Sequence, residues 1–207
     1  MELFRLRQIQ KNRKISKKTL DPCLKEAKEN KRTVLFLDAA HFVHAPFVGF
    51  VWCLTRIIIK SPSERQRFNV LGAINAISLE LITVVNTTYI NANSICVMLK
   101  KIKKQYEGKT ITIILDNARY QKCKLVMELA TVLNIELLYL PTYSPNLNII
   151  ERLWKFVKND CLYSKYYDNF AKFKQAIILS LKETQTKKKE RLKKLVALNF
   201  QTFKKAA

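Results

Sequence analysis

Val34-Leu35-Phe36-Leu37 is an unbroken apolar run that ends on Asp38, and Thr110 to Leu115 repeats the pattern before Asp116. Hydrophobicity that does not alternate suits a strand covered on both faces. Ile135 to Leu140 is a third such strand, stopped by Pro141. Working outward, Phe47 to Leu54 and Phe68 to Ala76 read as two further strands, antiparallel neighbours of the first. Residues 93–106 are helical, with Ile95, Cys96, Leu99, Ile102 and Tyr106 on one face and Lys100, Lys101, Lys103 and Lys104 largely off it. Residues 120–133 form an amphipathic helix through Leu125, Val126, Leu129 and Leu133. Another helix opens near Pro145-Asn146 and runs to about Leu162. Asp168 is placed to cap a last one with Phe170, Phe173, Ile177 and Leu181 inward. The order β-β-β-α-β-α-β-α-α predicts an α/β fold with a mixed central sheet and helices on both faces.

The chain has 207 residues, 48% of them hydrophobic, enough to bury one sizeable core. Lys and Arg number 38 against 16 acids, a formal charge of +22. A folded domain this basic meets a polyanion, and nucleic acid is the expected one. Residues 1–32 carry 11 basic and 4 acidic residues, and residues 180–207 carry 9 and 2. Lys187-Lys188-Lys189 and Lys193-Lys194 are a solvated helix face or phosphate contacts. Three Gly exclude a glycine-rich phosphate loop, and two His argue against a multi-histidine metal site. The five Cys include no CxxC pair, which fits idle thiols in a reducing cell interior. The N-terminus is not a signal peptide and no apolar stretch spans a bilayer.

Asp38 and Asp116 each end an apolar strand, where the reactive crevice of an open α/β sheet lies. Glu151 falls on the edge of a helix face formed by Ile150, Leu153, Trp154 and Val157, with Lys155 and Lys158 on its side. Clustered carboxylates repel, and their pKa values rise unless a cation is present. Mg²⁺ suits such a site because it takes oxygen ligands and keeps waters and substrate phosphates in its shell. The plainer alternative is that the two Asp cap their next elements and that Glu151 and Lys155 are an ordinary i, i+4 pair.

The segment 140–154, LPTYSPNLNIIERLW, resembles the LPxYSPxLNxIExxW block of the IS630/Tc1/mariner DDE transposases. Val34 to Phe42 resembles the first-aspartate block of that family and Ile113 to Tyr120 its second. The 34 residues between Asp116 and Glu151 are the family's DD34E spacing. The resemblance is nearest to the IS630 branch and runs from about Asp21 to Phe203. It implies an RNase H-like catalytic domain over 31–185, between a basic N-terminal arm or helix at 1–30 and a basic C-terminal helix or tail at 186–207. It implies that Asp38, Asp116 and Glu151 are the catalytic, metal-binding triad, with Mg²⁺ as the cofactor (Mn²⁺ in substitution) and two ions. The implied activity is hydrolysis at transposon ends followed by strand transfer into target DNA, by a homodimer on DNA in the bacterial cytoplasm at the nucleoid.

Arg119, Tyr143, Asn148, Lys155 and Lys158 are the candidate DNA contacts. Asn117 and Asn148 could instead orient the triad or serve turns and caps. His41 and His44 suit packing or a backbone hydrogen bond, and Trp52 and Trp154 suit the core. Arg56 and Lys60 are placed by nothing beyond charge. Members of the family usually carry N-terminal helix-turn-helix modules, for which too few residues precede the matching region here. An upstream helix-turn-helix polypeptide is therefore an expected partner. The alternative reading is a truncated, non-catalytic DNA-binding remnant or inhibitor of a full-length transposase; a weaker one is a nuclease acting on RNA–DNA hybrids.

Overall fold

The computed structural model describes residues 20–44, 65–140 and 148–196. Residues 20–28 form helix α1, and strands β1 (Thr33–Val43), β2 (Arg67–Asn75) and β3 (Leu81–Asn86) follow. Helix α2 (Ala92–Gln105), strand β4 (Ile111–Leu115), a short 3₁₀ turn (Arg119–Gln121), helix α3 (Lys124–Val132) and strand β5 (Ile135–Tyr139) come next. Helices α4 (Ile150–Cys161), α5 (Phe170–Glu183) and α6 (Lys189–Leu195) complete the described chain.

The five strands make one mixed sheet in the order β3-β2-β1-β4-β5. β1 pairs antiparallel with β2 and parallel with β4, so it is the seam between the two halves. Alternation along β1 explains the two cores. Val34, Phe36, Ala40 and Phe42 point to the layer of α4, α5 and α6. Leu35 and Leu37 point to the layer of α2 and α3. Both faces of the sheet are covered, which is why its central strands carry unbroken apolar runs. Leu20 and Leu24 of α1 and Leu192 of α6 join the first of these cores.

Several expected boundaries move. β1 does not end at Asp38 but runs to Val43, because β2 goes on supplying backbone partners down to Arg67 after β4 has left the sheet. β3 was not expected as a strand, since only Ile82 of its six residues is fully covered at the sheet edge. The expected strand Phe47 to Leu54 lies outside the described residues, as do Trp52, Cys53, Arg56 and Lys60. α3 starts at Lys124, and Leu125 is exposed while Val126 and Ala130 face inward. α4 starts at Ile150, later than the expected Pro145-Asn146. α5 is capped by Asn169, whose side chain accepts from the Lys172 N–H, whereas Asp168 pairs with the Lys172 Nζ at 2.8 Å. Lys188 is no free cation: it bridges Asp160 and Glu183, both at 2.6 Å, and ties α6 to α4 and α5. Cys23, Cys96, Cys123 and Cys161 are unpaired thiols. Among the described residues no helix is long and apolar enough to cross a membrane.

Candidate active site

The parallel ladder between β1 and β4 ends at the pair Leu37–Leu115. The next residues are Asp38 and Asp116, so the two carboxylates leave adjacent strands at the same level. A notch opens there because β4 stops while β1 continues along β2. Asp38 has the parity of Phe36 and Ala40, which sends its side chain toward α4. The indole N–H of Trp154 donates to Asp38 Oδ2 at 3.1 Å. Asn148 sits just before α4 and is only 2% exposed. Its Oδ1 accepts from the Ile150 N–H at 3.4 Å, and its amide Nδ2 donates to Asp116 Oδ1 at 3.5 Å. One residue thus links the start of the helix to the second aspartate. Glu151, in the first turn of α4, lies within reach of the charges of both aspartates.

Burial raises the Asp38 carboxyl to about 6, and the Asp116 charge adds to the shift. The Trp154 hydrogen bond opposes it by favouring the charged form. Glu151 is raised to about 7, first by desolvation and then by the charges of Asp38 and Asp116. Asp116 is raised by burial and held down by Asn148. The Asp116 charge thus reaches Asp38 and Glu151, and among the described residues Glu151 forms no ion pair with Lys155. An open cleft of about 610 Å³ runs past Asp38 and Glu151, with His41, Trp154, Lys155 and Lys158 also on its walls.

The donors here are carboxylate oxygens with an amide behind them, the set that suits Mg²⁺ or Mn²⁺ rather than a thiophilic metal. Among the described residues no group of three or more His, Cys, Asp or Glu side chains is already drawn together closely enough to hold a metal ion. Carboxylates beside an open cleft are the donor chemistry that a hydrated hard cation shared with a substrate would use, with the acids drawing together around it.

The remaining expected site residues separate. Lys155 and Lys158 line the cleft beside Glu151. Arg119 is exposed on the 3₁₀ turn beyond Asp116. Asn148 faces Asp116 and not the surface. Tyr143 lies outside the described residues. His44 is buried and bonded to the Tyr167 carbonyl at 3.0 Å, a packing role. His41 lines the cleft, and its Nδ1 lies 2.7 Å from Asn69 Oδ1.

Two positions escaped sequence reasoning. Trp154 is core, as expected, but it also holds Asp38. Gly72 faces Asp38 across the β1–β2 ladder. A Cβ there would lie 2.6 Å from Trp154 Cη2, so only glycine lets the indole lie close to the sheet. A glycine inside an apolar strand was the available signal for such a close approach.

A family model described as a DDE superfamily endonuclease matches residues 54–174, more than half of the chain. The chain belongs to the DDE superfamily. Its matched region includes Asp116 and Glu151. Over 160 residues this DDE protein is 28% identical to the insertion element IS630 uncharacterized 39 kDa protein of Shigella sonnei. That match covers 73% of the chain and 44% of the relative, so the chain spans less than half of that protein's length. The structure resembles the catalytic domain of Mos1 mariner transposase at a TM-score of 0.55 and 14% identity, covering 96% of each chain. It also resembles the Mos1 transposase of a paired-end complex with the left transposon end. There the TM-score is 0.58 at 14% identity, over 93% of this chain and 62% of that one. The IS630 relative supports the IS630/Tc1/mariner resemblance, and the sheet is the RNase H-like fold.

Proposed function

We propose that the chain is the catalytic domain of a DNA transposase, cutting phosphodiester bonds at transposon ends and joining them to target DNA. The observation that supports this reading is that Asp38 and Asp116 follow the last pair of adjacent parallel strands and that the charges of both reach Glu151, in a strongly basic protein. Asp38, Asp116 and Glu151 would hold Mg²⁺, or Mn²⁺ in its place, as two ions. When bound, the metal supplies activation of an attacking oxygen and neutralisation of charge at the phosphate.

The protein's own groups do the rest. Trp154 and Asn148 fix the rotamers of the two aspartates, so the ligands need little reorganisation. Asp38 and Glu151, with pKa values of about 6 and 7, give up protons on becoming ligands, so occupancy is coupled to proton release. Lys155 and Lys158 on the cleft wall are the contacts for the DNA backbone, with Arg119 beyond Asp116 and Tyr143 as further candidates. No side chain acts as a covalent nucleophile; water and then a DNA 3′-hydroxyl attack phosphorus. End recognition by a helix-turn-helix polypeptide and action as a homodimer on DNA belong to the same proposal.

Nicking of supercoiled plasmid in Mg²⁺ and in Mn²⁺ tests it. The wild type is expected to nick, and Asp38→Ala, Asp116→Ala and Glu151→Ala to fall to background. Nicking that survives all three substitutions overturns the assignment.

A further inference from the structure

A second groove, of about 750 Å³, opens where β2 begins and β3 ends. Arg65, Arg67, Thr87, Thr88, Tyr89 and Lys174 line it, and among the described residues no acidic side chain does. Among the described residues neither arginine nor Lys174 is in an ion pair. Tyr89 is 76% exposed beside them. Cations interleaved with an exposed aromatic face are the means by which proteins hold a single nucleic-acid strand: the charges take phosphates and the ring stacks on a base.

The groove is built in advance. Asn69 is 1% exposed. Its Nδ2 donates to Asn86 Oδ1 at 3.1 Å and to the Thr88 carbonyl at 2.8 Å. Asn86 in turn donates to the Tyr89 carbonyl at 2.9 Å. The loop that presents Thr87, Thr88 and Tyr89 is therefore pinned from inside the sheet. The Oδ1 of the same Asn69 accepts from His41 Nδ1 at 2.7 Å, and His41 lines the catalytic cleft. One buried amide joins the two grooves.

Their separation follows from the ladder. Asp38 faces Gly72, and Val43 faces Arg67. Five residues of strand span roughly 17 Å, the length of about five stacked nucleotides at ~3.4 Å each. We propose that the groove of Arg65, Arg67, Tyr89 and Lys174 binds the single DNA strand that leaves the catalytic cleft, about five nucleotides from the scissile phosphate. The identity of the strand as DNA rests on the transposase reading above.

Binding of a fluorescent single-stranded oligodeoxynucleotide carrying 2-aminopurine, measured on the full chain in EDTA, tests the groove apart from catalysis. Replacing Arg65, Arg67 and Lys174 together by Ala is expected to weaken binding at least about tenfold and to flatten the log K against log salt slope by about 2. Tyr89→Ala is expected to weaken binding about tenfold and abolish 2-aminopurine quenching, with Tyr89→Phe retaining both. Replacing Lys100, Lys103 and Lys104 of α2 by Ala removes the same charge elsewhere and is expected to cost much less. An equal loss from the α2 variant, or unchanged binding in the groove variants, overturns the proposal even where metal-dependent nicking stands. Failure of nicking with groove-dependent binding intact overturns the transposase reading and leaves the strand site.

Discussion

At the scale of single residues, the site depends on a fit between Gly72 and Trp154. The indole lies against β2, where it reaches Asp38, only because position 72 carries no Cβ. Gly72→Ala is expected to destabilise the protein by about 1–3 kcal/mol, the usual cost of overpacking, and to reduce nicking by displacing the indole. Trp154→Phe keeps most of the packing and loses the hydrogen bond, so its nicking-rate profile is expected to shift to higher pH. A Gly72→Ala protein with wild-type melting and nicking contradicts this account. Glu151 carries the clearest pH signature. Its folded pKa of about 7 lies above the ordinary 4.5, so its ionisation opposes folding. The sign follows: stability declines as pH rises from about 4.5 to about 7 and is level beyond. Glu151→Gln removes that penalty. After allowance for solvent screening it should gain about 1 kcal/mol at pH 8, or roughly 2–4 °C in Tm, and nothing at pH 4. Melting curves at the two pH values check both sign and window.

At the scale of elements, boundaries are decided by partners that the local sequence does not contain. Asp38 looks like a strand terminator because the apolar run stops there. The strand goes on because β2, from a distant part of the chain, offers Gly72 to Arg67 as an antiparallel edge. The capping of α5 shows a choice between neighbours. Asp168 and Asn169 are both good caps, and Asn169 takes the position while Asp168 turns to Lys172. Asn169→Ala is expected to cost about 1 kcal/mol in urea denaturation, with Asp168→Ala costing clearly less, as an exposed pair contributes little. The reverse ranking would show that the cap is misassigned. Helix α2 illustrates the opposite case. Its apolar spacing, its capping box at Asn91 and Ser94, and its last-turn Lys103 and Lys104 agree with one another, and the expected span and the observed one differ by a residue at each end.

At the scale of the whole molecule, the sheet and α4 bring acids from positions 38, 116 and 151 within electrostatic reach in a chain of net charge +22. The surrounding positive field and the local negative cluster draw different partners, phosphate backbone and divalent cation. Mg²⁺ is therefore expected to stabilise the folded protein by mass action, by about 2.7 kcal/mol at a hundredfold excess over Kd. Asp116→Ala should lose most of that gain. A thermal shift independent of Asp116 would place the metal elsewhere.

The class of fold and the candidate acids are written in local patterns of residues. Unbroken apolar runs dictate strands covered on both sides, and helical periodicity between them dictates layers on both faces, because burial is a property of local spacing. Asp38 and Asp116 were legible because charge at the end of an apolar run is conspicuous, Glu151 because it edges an apolar helix face, and all three because their blocks resemble those of a known family. Which strand neighbours which, the place of Asp38 inside a strand, and the contacts of Trp154 with Asp38 and Gly72 and of Asn148 with Asp116 emerge from the folded chain. Those relations are contacts between residues far apart in the chain, set by strand pairing and close packing, and no window of sequence contains both partners.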